Sequence, residues 1–414
     1  MKGSRLLVQK FGGTSVGNFE RIGLVADKII QSRLTGDEVV VVVSAMGGET
    51  DRLEHMAYQV AEAPNKREMD VLLASGEQIT VALLAMALEQ RGYRAKSYLG
   101  FQVPIRTNGI HRDARITEID TRKIFEDLKQ KTIPIVAGFQ GFDVHCNLTT
   151  LGRGGSDTTA VALAAVLHAN ECQIFTDVEG VYTADPRIAV NARKLNKITF
   201  EEMLEISSLG AKVLQIRSVE FAGRYKIPLR VLSTFVDGPG TLITFEENVV
   251  DNPIISGITY HRDEAKVLLR NLPYAGNTLA DIFEIMAKSD ICVDVIVQNQ
   301  PSDGLFDLAF TVHRKDFQET LKLIHQYVQK KHLQNVLVLG DDRVAKLSLI
   351  GVGMRSYAGI ASKMFQILAQ ENIAIQLIST SEIKVSVVVD EKYIEQGVNA
   401  LHRSFVLEEQ LKEA

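Results

Sequence analysis

Hydrophobic and polar positions follow two regimes along the chain. In the first part, unbroken β-branched runs alternate with segments of helical period. Val39–Val43 is five consecutive valines, the pattern of a strand buried on both faces. Leu6–Lys10, Ile133–Ala137, Gln173–Phe175 and Leu229–Leu232 also predict strands. Between them, Glu20–Ile30 and Thr158–His168 carry the spacing of long amphipathic or apolar helices. This alternation predicts a mainly parallel sheet covered on both faces. The unit, residues 1–245, ends with the turn cluster Asp237–Gly238–Pro239–Gly240 and one short strand, Thr241–Phe245.

An acidic linker with Asn and Pro, Glu246–Pro253, precedes a change of pattern. Ala265–Leu269 recurs as Ala345–Leu349, roughly 80 residues on. Each copy continues through a glycine turn into a helix (Leu279–Ala287, Ala361–Ala369) and a strand (Ile291–Val297, Ile373–Ile378). A third strand (Phe306–Val312, Ile383–Val389) and a closing helix follow. The order β-α-β-β-α predicts two α+β modules side by side, 254–335 and 336–414. Pairing between such halves makes interfaces suited to a small ligand.

Composition narrows the class. At 414 residues the chain exceeds one hydrophobic core. With 46% hydrophobic residues and a net charge of −5, it is globular and lacks the basic stripe of a nucleic-acid binder. Cys146, Cys172 and Cys292 have no paired spacing, so a disulfide framework is not expected and a reducing compartment fits. The first strand begins without an apolar leader, and stretches such as Ile79–Leu88 fall short of the ~20 residues of a membrane span. A cytoplasmic protein with neither nucleic-acid nor membrane partners is expected.

Candidate chemistry lies in the loops. Lys10–Phe11–Gly12–Gly13–Thr14–Ser15 ends the first strand in glycines and hydroxyls, presenting backbone N–H groups to an anion or forming an ordinary tight turn. Leu151–Gly152–Arg153–Gly154–Gly155–Ser156–Asp157 leads into a helix. Ser156 and Asp157 suit a cap, whereas an arginine among three glycines suits a carboxylate or phosphate clamp. The stretch from Thr176 and Asp177 through Tyr182, Thr183, Ala184, Asp185 and Pro186 to Arg187 gathers polar groups at the carboxyl end of a strand, where ligands bind in open α/β sheets. Lys212 adds a cation to that rim. Ser44 to Thr50 follows the valine strand, and Ser75–Gly76–Glu77 opens an apolar helix. Glu77 there has two readings, dipole complement and ligand contact. The nine histidines show no metal-ligand spacing, so no metal held by the protein is expected. Neither a Walker loop nor a dinucleotide fingerprint is present, since Gly351–Val352–Gly353 lacks its third glycine.

Together these segments resemble the aspartokinases of the amino-acid kinase superfamily. The matching motifs are Lys10–Val16, Val40–Gly47, Ser75–Glu77, Val136–Gly141, Thr149–Ala160, Thr176–Arg187 and Gly210–Leu214, in family order. Met354–Ser356 and Ile378–Glu382 resemble the family's tandem ACT domains. The resemblance implies an α/β, three-layer amino-acid-kinase fold with a mainly parallel central sheet, followed by two α+β ACT domains. It implies ATP with Mg²⁺, L-aspartate as substrate and 4-phospho-L-aspartate as product, the entry to lysine, threonine and methionine. Lys10, Phe11, Gly12 and Gly13 would meet the phosphates, and Asp157 would orient Lys10. Arg153 would clamp the α-carboxylate and Glu77 the ammonium. Ser44, Thr50, Gly154, Gly155 and Ser156 would line the substrate pocket. Thr176, Asp177, Tyr182–Arg187 and Lys212 would hold the nucleotide.

The resemblance also implies feedback by lysine or threonine and a homo-oligomer formed through ACT pairing. Effector contacts would come from Tyr274, Asn277, Thr278, Leu279, Gln298, Asn372 and Ile373. Tyr274 stands where the family has an acidic residue, and Asn277 where it has a glycine; asparagine tolerates left-handed backbone, so the turn is expected to survive. A glutamate kinase and a catalytically inactive amino-acid sensor are the rival readings.

Overall fold

The computed structural model describes residues 4–208, 213–245, 255–274, 276–299, 303–351, 354 and 359–407. They group into two compact units. One comprises the described residues within Met1–Val181, Lys194–Ser208 and Lys212–Val250. The other comprises those within Tyr182–Arg193 and Asp251–Ala414.

The first unit begins with β1 (Leu6–Phe11), α1 (Phe19–Leu34), β2 (Glu38–Val43), α2 (Glu49–Val60), α3 (Lys66–Glu89) and β3 (Ala95–Tyr98). Next come β4 (Ile105–Thr107), β5 (Ile116–Ile119), α4 (Arg122–Lys129), β6 (Ile133–Ala137), β7 (Gln140–Phe142), β8 (Leu148–Thr150) and α5 (Gly155–Val166). It closes with β9 (Glu171–Thr176), β10 (Lys197–Thr199), α6 (Phe200–Ser208), α7 (Ile216–Tyr225), β11 (Leu229–Ser233) and β12 (Thr241–Thr244). The main sheet runs β10-β12-β11-β9-β1-β2-β6-β3, parallel throughout except between β11 and β12. The valines of β2 are fully buried because both faces are covered. Val39, Val41 and Val43 pack with Ile22, Val25 and Ile29 of α1 and with Val81, Leu84 and Leu88 of α3. Helix α5 covers the other face, and its small residues, buried nearly all round, let it lie close to the strands. A second sheet, β5-β4-β7-β8, was not foreseen from the short runs that form it.

Helix α3 corrects one expectation. Ser75–Gly76–Glu77 does not open a helix; Asn65 caps one that starts at Lys66 and passes through Gly76 for 24 residues. By length and composition it is long and apolar enough to cross a membrane, which the Ile79–Leu88 stretch alone was not. Here its buried face, which includes Asp70 and Glu77, packs inside the unit.

The second unit contains β13 (Gly257–Pro273), α8 (Thr278–Lys288), β14 (Val293–Gln298), β15 (Leu305–Val312) and α9 (Phe317–Lys330). It continues with β16 (Leu337–Ile350), α10 (Ile360–Gln370), β17 (Leu377–Thr380), β18 (Lys384–Asp390) and α11 (Ile394–His402). The repeated β-α-β-β-α order is present, but the modules are not simply side by side. One antiparallel sheet, β14-β15-β13-β16-β18-β17, spans both. The first part of β13, Gly257–His261, pairs with Lys346–Ile350, and its second part, Lys266–Arg270, with Leu337–Asp341. Ile258 packs in one core with Leu347 and Val387, whereas Val267 packs in another with Phe310. Each long strand therefore serves both modules. Tyr182–Arg193, expected in the first unit, contributes Ala184 and Ala189 to the core around Leu347.

Glu264, at the irregularity in β13, is buried with Lys346 Nζ 2.9 Å away and His261 Nδ1 at 3.1 Å. Burial pushes the Glu264 carboxyl up, but His261, Lys346 and Thr311 more than offset this and hold it below its ordinary range. Its contribution to stability is therefore present at neutral pH and lost as pH falls through the folded-state value. Lys346→Met should destabilise the second unit by about 3–5 kcal/mol, because it strands a buried carboxylate. Glu264→Met with Lys346→Met should recover most of that loss. Urea denaturation followed against pH checks both.

Candidate active site

The site is built on the carboxyl end of β1. Lys10 lies between Val42 of β2 and Ile174 of β9, and alternation along the strand turns it to the α5 side. There its Nζ sits 2.6 Å from Asp157 Oδ1 in the first turn of α5. Both side chains are about nine-tenths buried. The contact is one of charge, since Asp157 Oδ1 has no aligned hydrogen bond. Phe11 faces the opposite way and stacks on Phe175 at 4.6 Å.

The chain beyond β1 is shaped for close approach. Gly12 N donates to Phe175 O, and Ser44 N donates to Phe11 O. A Cβ on Gly12 would lie 3.5 Å from Lys10 Nζ, filling the space beside the ammonium. A Cβ on Gly13 would lie 3.0 Å from Ala45 O. The two loops therefore touch through bare backbone, with the Lys10 ammonium beside them, and glycine backbone of this kind suits close approach by phosphate oxygens. Ser15 beneath it shares a hydrogen bond with Thr234 at 2.7 Å, tying the loop to the end of β11.

Glu77 is the most informative side chain. Its Oε1 accepts from Ala45 N at 2.9 Å. Its Oε2 is buried and has no hydrogen-bond partner among the described residues. Burial pushes the carboxyl up to about 7, against the pull of the Ala45 N–H and the Lys10 charge. Gly76 explains how it reaches this position: a Cβ there would stand 2.7 Å from the Ala45 Cβ. Only glycine lets α3 press against the loop after β2. A buried carboxylate oxygen with nothing to accept from is poised for a cation supplied from outside. Dipole complement at a helix start is excluded, since Glu77 lies in mid-helix.

Arg153 stands between Gly152 and Gly154, at φ of 76° and 70°, backbone that side-chain-bearing residues rarely adopt. It is exposed and has no hydrogen-bond or ion-pair partner among the described residues. Gly154 is the N-cap of α5, and a Cβ there would collide with Gln215. Gly155 and Ser156 are buried at the helix start, and Gly138 leaves the room that Ser156 occupies. Thr50 lies in the first turn of α2.

The nucleotide and effector candidates are dispersed. Thr176 ends β9, with its hydroxyl on Asp177. Tyr182, Thr183, Ala184, Asp185, Pro186 and Arg187 belong to the second unit. There the Thr183 hydroxyl meets His402 Nε2 at 2.9 Å, Ala184 is buried, and Asp185 holds Arg187 and accepts from the Tyr260 hydroxyl. Lys212 lies outside the described residues. Tyr274, Asn277, Thr278, Leu279 and Gln298 fall in the first ACT-like module, Asn372 and Ile373 in the second. Asn277 has φ −109°, so the turn does not call on left-handed backbone there. Thr278 caps back onto Pro273 O, and Ile373 is core. Sequence reasoning passed over Asp70, His111, Arg112 and Arg217, which brace the Arg153 loop. The one available signal was an acidic residue seven positions before Glu77, on the same helical face.

Comparison with known proteins agrees with this geometry. The profile of the amino acid kinase family matches residues 5–233, and that of an ACT domain residues 347–405. An aspartate kinase of Stutzerimonas stutzeri strain A1501 is 56% identical over 404 residues, covering 97% of this chain and 98% of the relative. Aspartokinase 2 of Bacillus subtilis strain 168 is 48% identical over 402 residues, with the same coverage. Among solved structures, E. coli aspartokinase III with aspartate and ADP superposes with a TM-score of 0.78 at 27% identity, over 97% of this chain and all of that one. The same enzyme with lysine and aspartate gives 0.76. The chain belongs to the amino acid kinase family and, within it, to the aspartate kinases with C-terminal ACT domains.

Proposed function

We propose that Lys10, Glu77, Arg153 and Asp157 carry the transfer of a phosphoryl group from ATP to the side-chain carboxylate of L-aspartate. The unpartnered, buried Oε2 of Glu77 carries this reading, because an α-ammonium group is the partner it lacks. Arg153, exposed and unpaired, takes the α-carboxylate through its planar fork. Ser44, Thr50, Gly154, Gly155 and Ser156 line the space between. Lys10 and the N–H group of Gly13 balance charge on the phosphoryl group in transit, and Asp157 keeps the lysine aimed; the Gly12 N–H, already given to Phe175 O, does not take the part the resemblance implied for it. The attacking carboxylate titrates near ~3.9 and is ionised at neutral pH, so no general base is required. Positioning and charge stabilisation suffice, as in phosphoryl transfer generally.

Thr176 and Asp177, at the end of β9, are the proposed nucleotide contacts of the first unit; Tyr182–Arg187 and Lys212 are assigned to the nucleotide by the resemblance alone. Mg²⁺ accompanies the nucleotide. Among the described residues no three His, Cys, Asp or Glu side chains converge, a donor set that suits a cation held mainly by phosphate oxygens and water. Bound there, it would neutralise charge across the phosphates. The complexes of E. coli aspartokinase III with aspartate and ADP, and with lysine and aspartate, support the same ligands here. Lysine or threonine at the ACT modules, a homo-oligomer through those modules and a cytoplasmic site of action complete the reading.

Lys10→Ala should lower kcat by several orders of magnitude with an unchanged circular dichroism spectrum; an unaltered rate removes the role given to Lys10. An ATP-consumption assay with aspartate and with glutamate separates the substrates, and turnover on glutamate alone overturns the proposal. No turnover on either favours the inactive sensor. Because Glu77 ionises only near pH 7 in the free protein, kcat/KM for aspartate should fall as pH drops below that value. Glu77→Gln should remove that limb and raise the aspartate KM roughly 10–100-fold. The raised value also has a stability consequence: the group's contribution is lost as pH rises from the ordinary carboxylate range through about 7. Aspartate should therefore raise Tm more at pH 8 than at pH 6. Thermal shifts with lysine, threonine and methionine, singly and in pairs, test the effector; no shift with any of them indicates that Tyr274 has silenced the site.

A further inference from the structure

We infer that Asp70 is a positioning residue for the amino-acid substrate, setting the spacing among the three segments that bear Thr50, Glu77 and Arg153. The inference rests on the assignment of those three residues to aspartate. Asp70 and Glu77 lie seven residues apart on α3, on one face and roughly 10 Å along the axis. A fully buried carboxylate in the second turn of a largely apolar helix is costly unless its oxygens are satisfied, and Asp70 satisfies them with one neighbourhood. Oδ1 accepts from the Thr150 hydroxyl at 2.5 Å and from Arg112 N at 3.1 Å. Oδ2 meets His111 Nδ1 at 2.6 Å.

Two of these partners, Thr150 and Arg112, lead to substrate segments. Thr150 ends β8, three residues before Arg153, and Arg217 Nη1 holds the intervening Leu151 O at 2.9 Å. Arg112 Nη2 bonds Glu54 Oε1 at 2.6 Å, and Glu54 lies one turn beyond Thr50 on α2. Arg112 has φ +72°, an unfavourable conformation for a residue with a side chain, and its N–H is the group that Asp70 holds. Strain of this kind persists where surrounding contacts impose it. One carboxylate thus fastens the helix that receives the ammonium to the loop that receives the α-carboxylate, and through Arg112 to the helix that flanks both. Among the described residues none of its hydrogen bonds is to the loops that end β1 and β9, where phosphate and nucleotide are assigned.

The expected signature is a defect confined to the amino acid. Thr150→Val, which keeps shape and removes one hydrogen bond to Asp70, should raise the aspartate KM roughly tenfold, the scale of one hydrogen bond to a charged group. The ATP KM should stay within about twofold. Thr150→Ser, which restores the hydroxyl, should return the aspartate KM to near wild type. Asp70→Asn is the second variant, with the same expectation should Thr150→Val fail to fold. Arg153→Ala serves as the reference. If Arg153→Ala raises the aspartate KM and folded Thr150→Val or Asp70→Asn does not, the positioning role is wrong and the substrate assignment stands. If the KM values for aspartate and ATP rise together, Asp70 is merely structural, and the inference is again overturned. If Arg153→Ala leaves the aspartate KM unchanged, the assignment fails and the inference with it.

Discussion

A carboxylate kept from water with one oxygen unsatisfied is the constraint around which the first unit is arranged. An ionised group in that position is unfavourable unless something accepts its charge. The Ala45 N–H meets only half of the need. The rest of the design brings that half-satisfied group to the surface of a ligand site without flooding it. Gly76 lets the helix come close, Gly13 and Gly47 let adjacent loops touch through backbone, and the valine strand beneath supplies a dry floor. Replace any of these with a larger residue and the carboxylate moves away from the position proposed for the substrate's ammonium.

The two neighbouring charges are handled differently. Lys10 is matched at once by Asp157, 2.6 Å away, beside the glycine backbone that ends β1. Glu77 is left wanting, so its affinity for protons and for an ammonium group rises together. In the proposed reaction, separating these roles lets one end of the site attract phosphate while the other selects a free amino acid. A histidine base is superfluous in such chemistry, since the nucleophile arrives ionised.

Much of this was legible in the sequence. Strands such as β2 announce themselves because burial on both faces leaves an unbroken run of branched apolar residues. The glycine-flanked Arg153 stood out in the sequence as a candidate clamp; the structure shows it exposed and makes Gly154 the cap of α5. The start of α3 was not, because Gly76 reads as a helix opening when it is a packing site in mid-helix. Tyr182–Arg193 carries no periodicity, so nothing in its residues showed that Ala184 and Ala189 belong to the core of the second unit. Asp70 was hidden for a similar reason: its partners lie 41, 42 and 80 residues away. Local pattern does not report such distant closure.

The long strands β13 and β16 have a mechanical consequence. Two modules joined by a flexible connection can hinge, and a ligand on one can be ignored by the other. Two modules that share the same pair of hydrogen-bonded strands have no joint at which to bend. Deformation imposed at one end must travel as twist or shear along the sheet, or break a ladder of backbone bonds. The second unit is in this sense a single elastic plate, and the irregularity at Glu264 is its crease.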